Sequence, residues 1–578
     1  MKEEEEIVSL NEDLSGSPLY SPDLAPVPKE KRTWTTWSLA ALWVGMAVCI
    51  PTYMLAAQFI VNGISWWESL LIIGLANVII TVPMVLSGHA GVKYGIPFPV
   101  LGRSSFGTKG IHIPALIRGL IAAAWFGIQT WIGGDSIYVI WETIAGNSAD
   151  LTVLSSGRFV CFGIFWLINL YFIVKGTESI KTLELLAAPI LVAVGIALIW
   201  WGSSQLGSFG KVLNSSKELA IPTVHLNAEE LTIRSLPGKN GELKAEYYQV
   251  SYPTTWEKKL VGNTDFLPLS GTETKVPLNS LKGLDLKVLT NEQTPVALEV
   301  RLKKGDHLSS PVFAFVETEQ KQSTGWWQYL VMLTAMVGFW ATMSISIADI
   351  TRYAKSQRDQ KRGQFIGLPG TMILYSFVGI FVTCAASIAF DDVLIREDAP
   401  WNPADLLAKF DGKAIVIVSQ LFLLIATLST NIAANVIAPA NAFSNAFPKQ
   451  ISFKMGGVLT AIIGILIMPW SLINYIIPLL LFVSSLLGPV VAILICDYFV
   501  IRKTRLDLAG LYKTDGPYSF GGSGFNKAAI IAFLLGAIVA GIGNFVPALS
   551  FLYDISWFSG FIVSFIIYYL LSQKTTTN

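Results

Sequence analysis

Long apolar stretches recur along almost the whole chain, and they restrict its fold more than any other feature. A helix that crosses the hydrocarbon of a bilayer needs about 20 mostly apolar residues. About twelve stretches of this kind begin near Trp37, Trp66, Ile113, Phe159, Thr182, Trp326, Ile366, Ala414, Met455, Ile473, Ala528 and Phe551. The pattern predicts an all-α integral membrane protein with about 12 transmembrane helices, called spans one to twelve below.

The composition agrees with a chain that is mostly embedded in lipid. Of its 578 residues, 52% are hydrophobic and only 14% are charged, whereas soluble domains average roughly 25% charged residues. Lys and Arg number 41 against 40 Asp and Glu, so no overall field attracts an anionic polymer, and a nucleic-acid partner is excluded. The four cysteines lie far apart in apolar stretches, a pattern that predicts neither a zinc site nor a disulfide framework.

Lysine and arginine in the short loops predict the orientation, because such residues accumulate on the cytoplasmic side of a membrane. With twelve spans, one side collects Lys29, Lys31, Arg32, Lys93, Arg103, Lys109, Arg352, Lys355, Arg358, Lys361, Arg362, Arg502, Lys503, Arg505 and Lys513. The loop between spans seven and eight, on the other side, is acidic. We therefore expect a multi-pass protein of the plasma (cytoplasmic) membrane with its N- and C-termini in the cytoplasm.

The expected organisation has five parts. Residues 1–34 form a flexible cytoplasmic tail, 35–206 hold spans one to five, 207–324 form an inserted β-rich domain, 325–572 hold spans six to twelve, and 573–578 form a cytoplasmic C-terminal tail. The insertion is predicted from period-two segments, namely LTIRSL, ELKAEYYQV, VALEVRL and VFAFVETE, with turn signals between them. It falls on the extracytoplasmic side, where we expect a lid or docking module without chemistry.

Catalytic motifs are missing from the sequence. It contains no HExxH, no GxSxG and no Walker-type loop, and none of its four His stands near a nucleophile at a telling spacing. We therefore expect no enzyme, no catalytic residues and no cofactor. Polar residues inside membrane spans are costly and mark function more often than elsewhere.

Spans one and three each carry a feature that is unusual at mid-membrane. Gly45 and Pro51 in span one loosen the backbone ladder, and carbonyls freed there are candidate cation ligands. Trp125 and Gln129 in span three are spaced i, i+4 and share a helical face, so an indole and an amide together offer a platform for a flat, hydrogen-bonding ring. Each feature also has an ordinary explanation, as a proline kink or as helix packing.

Span eight contains two polar faces. Ala426, Ser429 and Thr430 share one face, and two hydroxyls beside free carbonyls suit a hard cation better than a transition metal. Asn431 and Asn435 form an i, i+4 pair on the neighbouring face. Serine and threonine in membrane helices commonly just bond a carbonyl one turn earlier, but two asparagines one turn apart in hydrocarbon favour a functional site.

Span six contains Gly338 followed by Phe339 and Trp340. If the chain holds two inverted repeats of five helices, spans one and six are equivalent, and both are expected to carry a central interruption that contains glycine. Such a pair of interrupted spans is the sequence pointer to a binding site near the midplane of the membrane.

These segments resemble those of the nucleobase–cation symporter family one, whose members carry hydantoins, allantoin, uracil, cytosine and purines. The resemblance lies in LWVGMAVCIPTYMLAAQ, GIPFPVLGRSSFG, AWFGIQTW, DITRYAK, LSTNIAANVIAPAN and DYFVIRK, which occur in the right order. It implies a leucine-transporter-like fold, with a 5+5 inverted repeat and two further helices. The β-rich insertion is not part of the family pattern.

The resemblance also implies roles for individual residues. It places stacking indoles at Trp125 and Trp340 and polar substrate contacts at Gln129 and Asn435. Cys49 occupies a position where some members have an amide side chain, so that substrate contact is expected to be missing or made by the backbone. The implied sodium ligands are the carbonyls of Gly45, Val48 and Ala426 and the hydroxyls of Ser429 and Thr430.

We therefore expect a secondary transporter that imports a nucleobase or related heterocycle, of the hydantoin, allantoin or uracil type, by alternating access. Its partners are that small molecule, the lipid bilayer and a co-transported cation, Na+ by preference. Proton coupling is the alternative, with Asp135, Glu142 and Glu184 as the nearest carboxylates. An alternative of another class is a membrane receptor that binds its ligand through the inserted domain.

Overall fold

The computed structural model of the protein describes residues 7–10, 12–151, 153–175, 177–227, 229–239, 241–253, 260–282, 284, 297–315, 325–472 and 475–576, without the side chains of 177–188, 260–261 and 574–576. Helices dominate the described chain. The principal ones are α1 Thr36–Ala47, α2 Ile50–Val61, α3 Trp66–Tyr94, α4 His112–Ala145, α5 Ser156–Lys175, α6 Thr177–Leu206, α7 Gly325–Ser346, α8 Gln357–Ala389, α9 Lys413–Asn435, α10 Ile437–Ala446, α11 Phe453–Leu466, α12 Ile476–Ile495, α13 Lys527–Gly541 and α14 Ser556–Thr576.

Short helical turns connect these helices. They are Pro22–Leu24, Lys29–Lys31, Phe98–Leu101, Arg103–Phe106, Phe209–Asn214, Ser216–Ala220, Leu278–Ser280, Ala348–Thr351, Arg396–Asp398, Pro403–Ala408, Pro469–Leu472, Cys496–Ile501, Gly510–Tyr512, Pro517–Ser519, Ile542–Asn544, Pro547–Leu549 and Ser550–Asp554.

The predicted helical membrane protein is confirmed, with one difference in the count of spans. Within the described residues, ten helices are long and apolar enough to cross a membrane, and the bent pair α1–α2 makes an eleventh span. The predicted ninth span is the helix α11, which has 14 residues. At 1.5 Å per residue such a helix rises roughly 21 Å, less than the hydrocarbon thickness of about 30 Å.

The first span is broken at its centre, as Gly45 and Pro51 predict. Helices α1 and α2 meet at an angle of 63°, and the two residues between them, Val48 and Cys49, are not helical. Pro51 lies in the first turn of α2, where its missing N–H leaves the carbonyl of Ala47 without an i+4 donor. The N–H of Cys49 donates to that carbonyl instead, at 3.0 Å.

The expected interruption at Gly338 is wrong, because α7 runs without a break from Gly325 to Ser346. A Cβ atom at position 338 would collide with the Ser484 hydroxyl and lie 3.1 Å from the carbonyl of Leu480. The glycine therefore serves close packing of α7 on α12. The non-helical residue of this span is Ile347, at its end.

The N-terminal segment, residues 7–10 and 12–34, is packed against the face of the bundle where α1 begins, whereas a flexible tail was expected. Leu24 is fully buried, and its carbonyl accepts a hydrogen bond of 2.7 Å from the Tyr512 hydroxyl. The backbone N–H of Val8 donates to the backbone carbonyl of Lys93 at 2.9 Å. At the other terminus α14 continues to Thr576, past the boundary expected at 573.

The predicted β-rich insertion is confirmed between α6 and α7. Its strands are β1 Val224–Leu226, β2 Glu230–Arg234, β3 Tyr247–Pro253, β4 Leu260–Asn263, β5 Leu267–Pro268, β6 Glu273–Pro277, β7 Leu298–Lys304, β8 His307–Leu308 and β9 Val312–Ala314. They form a sheet in the order β1-β2-β6 and a second sheet in the order β4-β3-β7-β8, in which β5 pairs with β3 and β9 with β7. All of these pairs are antiparallel.

The insertion shares its core with the loop that follows α8. Leu394 and Ile395 of this loop are fully buried in the insertion's hydrophobic cluster. Lys244 of the insertion donates a hydrogen bond of 2.7 Å to the carbonyl of Ser387, near the end of α8, and burial lowers the pKa of Lys244 to about 8. The insertion is therefore docked on the helical bundle through apolar as well as polar contacts.

We expect Ile395→Ala to loosen this docking. Removing a buried isoleucine side chain costs about 2–5 kcal/mol, and the loss falls on the contact between the insertion and the bundle. Hydrogen exchange should then accelerate at the amides of Leu298–Lys304, in the central strand β7. Ile366→Ala, at a position that is 52% exposed on α8, is the matched control and should leave that exchange unchanged. Equal exchange in both variants would contradict the shared core.

Candidate functional site

The break in the first span leaves two backbone carbonyls that α9 satisfies. In an unbroken helix the backbone N–H of Cys49 would donate to the carbonyl of Gly45. Here it donates to the carbonyl of Ala47, so the Gly45 carbonyl loses its usual helical donor. The Thr430 hydroxyl lies 3.0 Å from the Gly45 oxygen and 3.2 Å from the Met46 oxygen, so its single proton is shared between these two carbonyls. The Ser429 hydroxyl lies 3.5 Å from the same Gly45 oxygen.

The oxygen atoms at this junction fit a hard cation. These oxygens are hydroxyls and backbone carbonyls, the kind of ligand that suits a hard cation, and here they are paired with one another by hydrogen bonds. Val48 and Ala426 pack together in a small buried cluster. The structure therefore brings all five predicted sodium residues to the junction of α1 and α9. Among the described residues, no group of three or more His, Cys, Asp or Glu stands where it can hold a metal ion.

The predicted substrate residues surround one small cavity beside this junction. It has a volume of about 30 Å³ and is lined by Met46, Cys49, Trp125, Gln129, Phe339, Trp340, Thr342, Thr430, Ala434 and Asn435. Such a volume holds one or two water molecules, so a heterocycle enters only when the surrounding side chains separate. The cavity lies where α4, α7 and α9 meet the break in the first span.

Two polar atoms in the lining of this cavity have no hydrogen-bond partner within the described part of the chain. They are the Gln129 Oε1, an acceptor, and the Trp340 Nε1, a donor. Gln129 is 2% exposed and Trp340 is 3% exposed. Leaving a buried polar atom unpaired costs about 1–3 kcal/mol, so the pair is suited to a ligand that offers one donor and one acceptor.

The aromatic side chains form a connected group, and Phe339 contacts both predicted indoles. Trp125 meets Phe339 edge to face, with ring centroids 5.8 Å apart, and Phe339 meets Trp340 at 5.0 Å. Trp340 also packs edge to face on Trp43, at 5.2 Å. Phe339 and Trp43 were not among the predicted site residues, although Phe339 and Trp340 are adjacent aromatic residues in the sequence.

A network of amide side chains fixes the orientation of Asn435. The Asn435 Nδ2 donates to the Asn431 Oδ1 at 3.1 Å. The Asn431 Nδ2 in turn lies 3.1 Å from the Thr130 hydroxyl and 3.1 Å from the Asn169 Oδ1. Since Thr130 is on α4 and Asn169 on α5, Asn431 joins three helices and holds Asn435 at the cavity wall.

Arg118 is a buried cation beside the cavity and was not among the predicted site residues. It lies in the second turn of α4 and is 1% exposed. Its Nε donates to the carbonyl of Thr342 at 2.8 Å, and its Nη2 donates to that of Ala434 at 3.2 Å. These bonds tie α4 to α7 and α9. The sequence signal for this residue was a lone arginine inside an apolar span.

The carboxylates proposed for proton coupling do not reach the cavity lining. Asp135 accepts two hydrogen bonds from Arg158, at 2.8 and 3.0 Å. Glu142 accepts a hydrogen bond from Asn147 near the exposed end of α4, and the side chain of Glu184 lies outside the described residues. A different carboxylate is buried nearby: the Asp349 Oδ1 accepts the Phe98 N–H at 2.9 Å, while its Oδ2 has no partner among the described residues.

These features define a helical membrane protein with a small polar cavity beside a broken first span. The family described as permease for cytosine/purines, uracil, thiamine and allantoin matches residues 26–231 and 305–560. The chain belongs to this family, the nucleobase–cation symporter family one. Most of the β-rich insertion falls in the stretch between the two matched ranges. Membership agrees with the expected transporter and replaces the receptor alternative, and the family is one of permeases rather than enzymes.

Individual relatives support the same conclusion. The chain is 32% identical to the allantoin permease of Bacillus subtilis, over 96% of this chain and 93% of the relative. It is also 32% identical to a purine-uracil permease of Arabidopsis thaliana, over 96% of this chain and 78% of the relative. Among solved structures, a nucleobase-cation-symport-1 family transporter in a closed conformation with bromovinylhydantoin bound matches with a TM-score of 0.66 and 21% identity, over 97% of this chain and 96% of that one. This last similarity establishes the fold.

The amide network predicts different effects for its two asparagines. Asn431→Ala removes bonds among three helices, each worth roughly 0.6 kcal/mol in membrane proteins, so it should lower the melting temperature of the ligand-free protein. Asn435→Ala removes one bond, made within α9, and should lower the melting temperature less than Asn431→Ala does. Thermal unfolding of both purified variants measures the difference. Equal melting temperatures would show that Asn431 does not fasten the helices.

Proposed function

We propose that this permease imports a flat heterocycle whose ring carries an N–H next to a carbonyl, together with Na+. The observation that supports the substrate class is the pair of unpaired polar atoms in the cavity lining, the Gln129 Oε1 and the Trp340 Nε1. A ring N–H donates to the amide oxygen, and the adjacent carbonyl accepts from the indole N–H. Uptake of radiolabelled compounds into proteoliposomes tests the proposal.

Hydantoin, allantoin and uracil share this ring edge. The relatives support the same range of compounds, since one is named an allantoin permease and another a purine-uracil permease. The aligned solved structure holds a substituted hydantoin. Trp125 supplies an aromatic face on which such a ring stacks, and stacking of a base on an aromatic side chain contributes about 1–3 kcal/mol. Trp340 meets the ring at its edge, since its in-plane N–H donates to the ring carbonyl, and this contact replaces the stacking role that the resemblance implied for it. Asn435, oriented by Asn431, supplies a further edge contact, and Cys49 contributes to the wall.

The proposed coupling runs through Thr430. Its hydroxyl contacts the carbonyls of the broken first span, and its side chain also lines the substrate cavity. Na+ held by the oxygens of Gly45, Val48, Ala426, Ser429 and Thr430 would fix the broken span against α9. That arrangement shapes one wall of the cavity, so each ligand favours the conformation that the other prefers.

The proposed orientation places the N-terminal face, with its basic loops, in the cytoplasm and the β-rich insertion outside. The support is the accumulation of Lys and Arg in the loops on that face. In a plasma membrane, the inward sodium gradient then drives import by alternating access.

Proton coupling is a second candidate, and one observation favours it. Asp349 is 2% exposed, lies at the N-terminal face just beyond α7, and has one carboxylate oxygen without a partner among the described residues. Asp349→Asn separates the two candidates, because it removes a titrating group and leaves the junction of α1 and α9 untouched. Under sodium coupling the variant should keep its dependence on Na+.

We expect Thr430→Ala to raise the sodium concentration required for half-maximal uptake, because it removes one of a small set of neutral oxygen ligands. At sodium concentrations below saturation it should also weaken substrate binding, because a smaller fraction of the protein then holds the ion that favours the substrate-binding conformation. Thr430→Ser keeps the hydroxyl and is the matched control, with nearly parental behaviour. The measurement is substrate binding to purified protein at fixed pH, in sodium and in choline.

The sodium assignment is overturned if replacing sodium by choline leaves substrate affinity unchanged while uptake follows an imposed pH gradient. The hydroxyls of α9 would then have only a structural role, and Asp349 would become the coupling group to examine.

The proposed hydrogen bond from a ring N–H to the Gln129 Oε1 can be removed either from the protein or from the ligand, and the two changes should not add. Gln129→Leu keeps a similar volume but removes the acceptor, so affinity for the transported ring should fall by about 5- to 100-fold, the effect of losing a buried hydrogen bond to the ligand. An analogue methylated at the ring nitrogens has no N–H to lose and should bind both proteins alike. Calorimetric titration of the two compounds into both proteins measures this. The same loss for both compounds would show that Gln129 acts by packing.

A further inference from the structure

A second cavity opens at the face of the bundle where the N-terminal segment lies. It has a volume of about 730 Å³ and lies apart from the substrate cavity, with no lining residue in common. Four separate parts of the chain form its wall: the N-terminal segment, the end of α5, the residues that follow α7, and the start of α11. A site built from four segments depends on the whole fold.

The charges in this cavity are mostly positive. Its lining includes four cationic side chains and one carboxylate, namely Lys31, Lys175, Arg352, Lys454 and Asp23. The carboxylate of Asp23 already accepts a hydrogen bond of 2.8 Å from the backbone N–H of Phe453, at the start of α11. No ion pair engages the four cations in the described part of the chain. The cavity therefore suits an anion.

Arg352 is the buried member of this group. It is 4% exposed, and its guanidinium donates to neutral oxygens, the carbonyl of Asp23 at 3.0 Å and the hydroxyl of Tyr353 at 2.9 Å. Its Nε has no partner among the described residues. The buried carboxylate of Asp349 interacts with Arg352 through space but forms no direct ion pair with it among the described residues. The unused Nε donor of Arg352 is therefore still open to a phosphate group.

The cavity borders the surface that faces lipid. Val174 precedes Lys175 on α5 and is 49% exposed, and Met455 follows Lys454 on α11 and is 51% exposed. The Lys175 ammonium lies 5.4 Å from the ring centroid of Tyr171, which is itself 57% exposed. The lysines thus stand where an apolar outer surface ends, the depth at which lipid headgroups lie.

We propose that this cavity binds a phosphate-bearing anion and that its occupant is the headgroup of an anionic phospholipid. Basic pockets between membrane helices on the cytoplasmic side bind such headgroups, and the exposed apolar side chains beside Lys175 and Lys454 provide a path for the acyl chains. The bound phosphate bridges the N-terminal segment, α5 and α11, and so fastens the segment to the bundle.

The test uses the full-length protein in a neutral detergent and does not depend on transport. Native mass spectrometry and thermal unfolding are followed while phosphatidylglycerol, phosphatidylcholine or inorganic phosphate is added. The variant is Lys175→Gln with Lys454→Gln. The matched control is Lys503→Gln with Lys527→Gln, which removes two exposed lysines from the same face outside the cavity. Lys175→Arg with Lys454→Arg restores the charges.

We expect phosphatidylglycerol to bind and to raise the melting temperature, and phosphatidylcholine to do neither. The glutamine pair in the cavity should weaken phosphatidylglycerol binding roughly tenfold or more, the scale of two basic residues at a lipid surface. The control pair and the arginine pair should bind phosphatidylglycerol with nearly the parental affinity. Inorganic phosphate that binds as well as the lipid, with the same dependence on the variants, would support the anion site and overturn its assignment to lipid. Equal losses in the cavity and control pairs would overturn the site itself.

Discussion

The rest of the site depends on one requirement, that backbone carbonyls inside a membrane find hydrogen-bond donors. An unsatisfied carbonyl in hydrocarbon costs several kcal/mol, so a helix broken between Val48 and Cys49 is stable only beside a partner that supplies donors. The hydroxyls of Thr430 and Ser429 fill this role from α9. Close contact between the first span and α9 is therefore a condition of the break, and the break creates the oxygen-rich junction at which we propose that Na+ binds.

The substrate cavity lies beside this junction for the same reason. Helix ends expose polar groups, and the cavity lining includes Met46, whose carbonyl accepts from Thr430. Thr430 itself contacts the carbonyls at the junction and also lines the substrate cavity. Any movement of α1 relative to α9 changes the carbonyl contacts and the cavity wall together. This shared side chain is the physical basis of the coupling that we propose between the two places.

Much of the architecture was predictable from local sequence, because hydropathy identifies spans and helical spacing identifies faces. Trp125 with Gln129 and Ser429 with Thr430 do face the same region. Gly338 was misread because a glycine in an apolar run serves equally well for a break or for a close approach, and only the position of Ser484 on α12 decides between them. The packed N-terminal segment was missed for a similar reason, since its partners lie hundreds of residues away in the sequence.

The helices are fastened to one another in two different ways, and the difference bears on how such a permease can move. Asn431 joins α4, α5 and α9 through several neutral bonds made by one side chain, which suits parts that stay together. By contrast, α7 is held to α4 beside the cavity by Arg118, whose Nε donates to the carbonyl of Thr342. A guanidinium has five donors in a fixed fork, and the Arg118 Nη1 has no partner among the described residues. If α7 shifts, a charge with a spare donor can exchange one carbonyl for another or for water, whereas the amide network would have to lose several bonds at once. Under the alternating access that we propose, the amide network therefore keeps α4, α5 and α9 together, whereas the contact of Arg118 with α7 is one that can be exchanged during a movement.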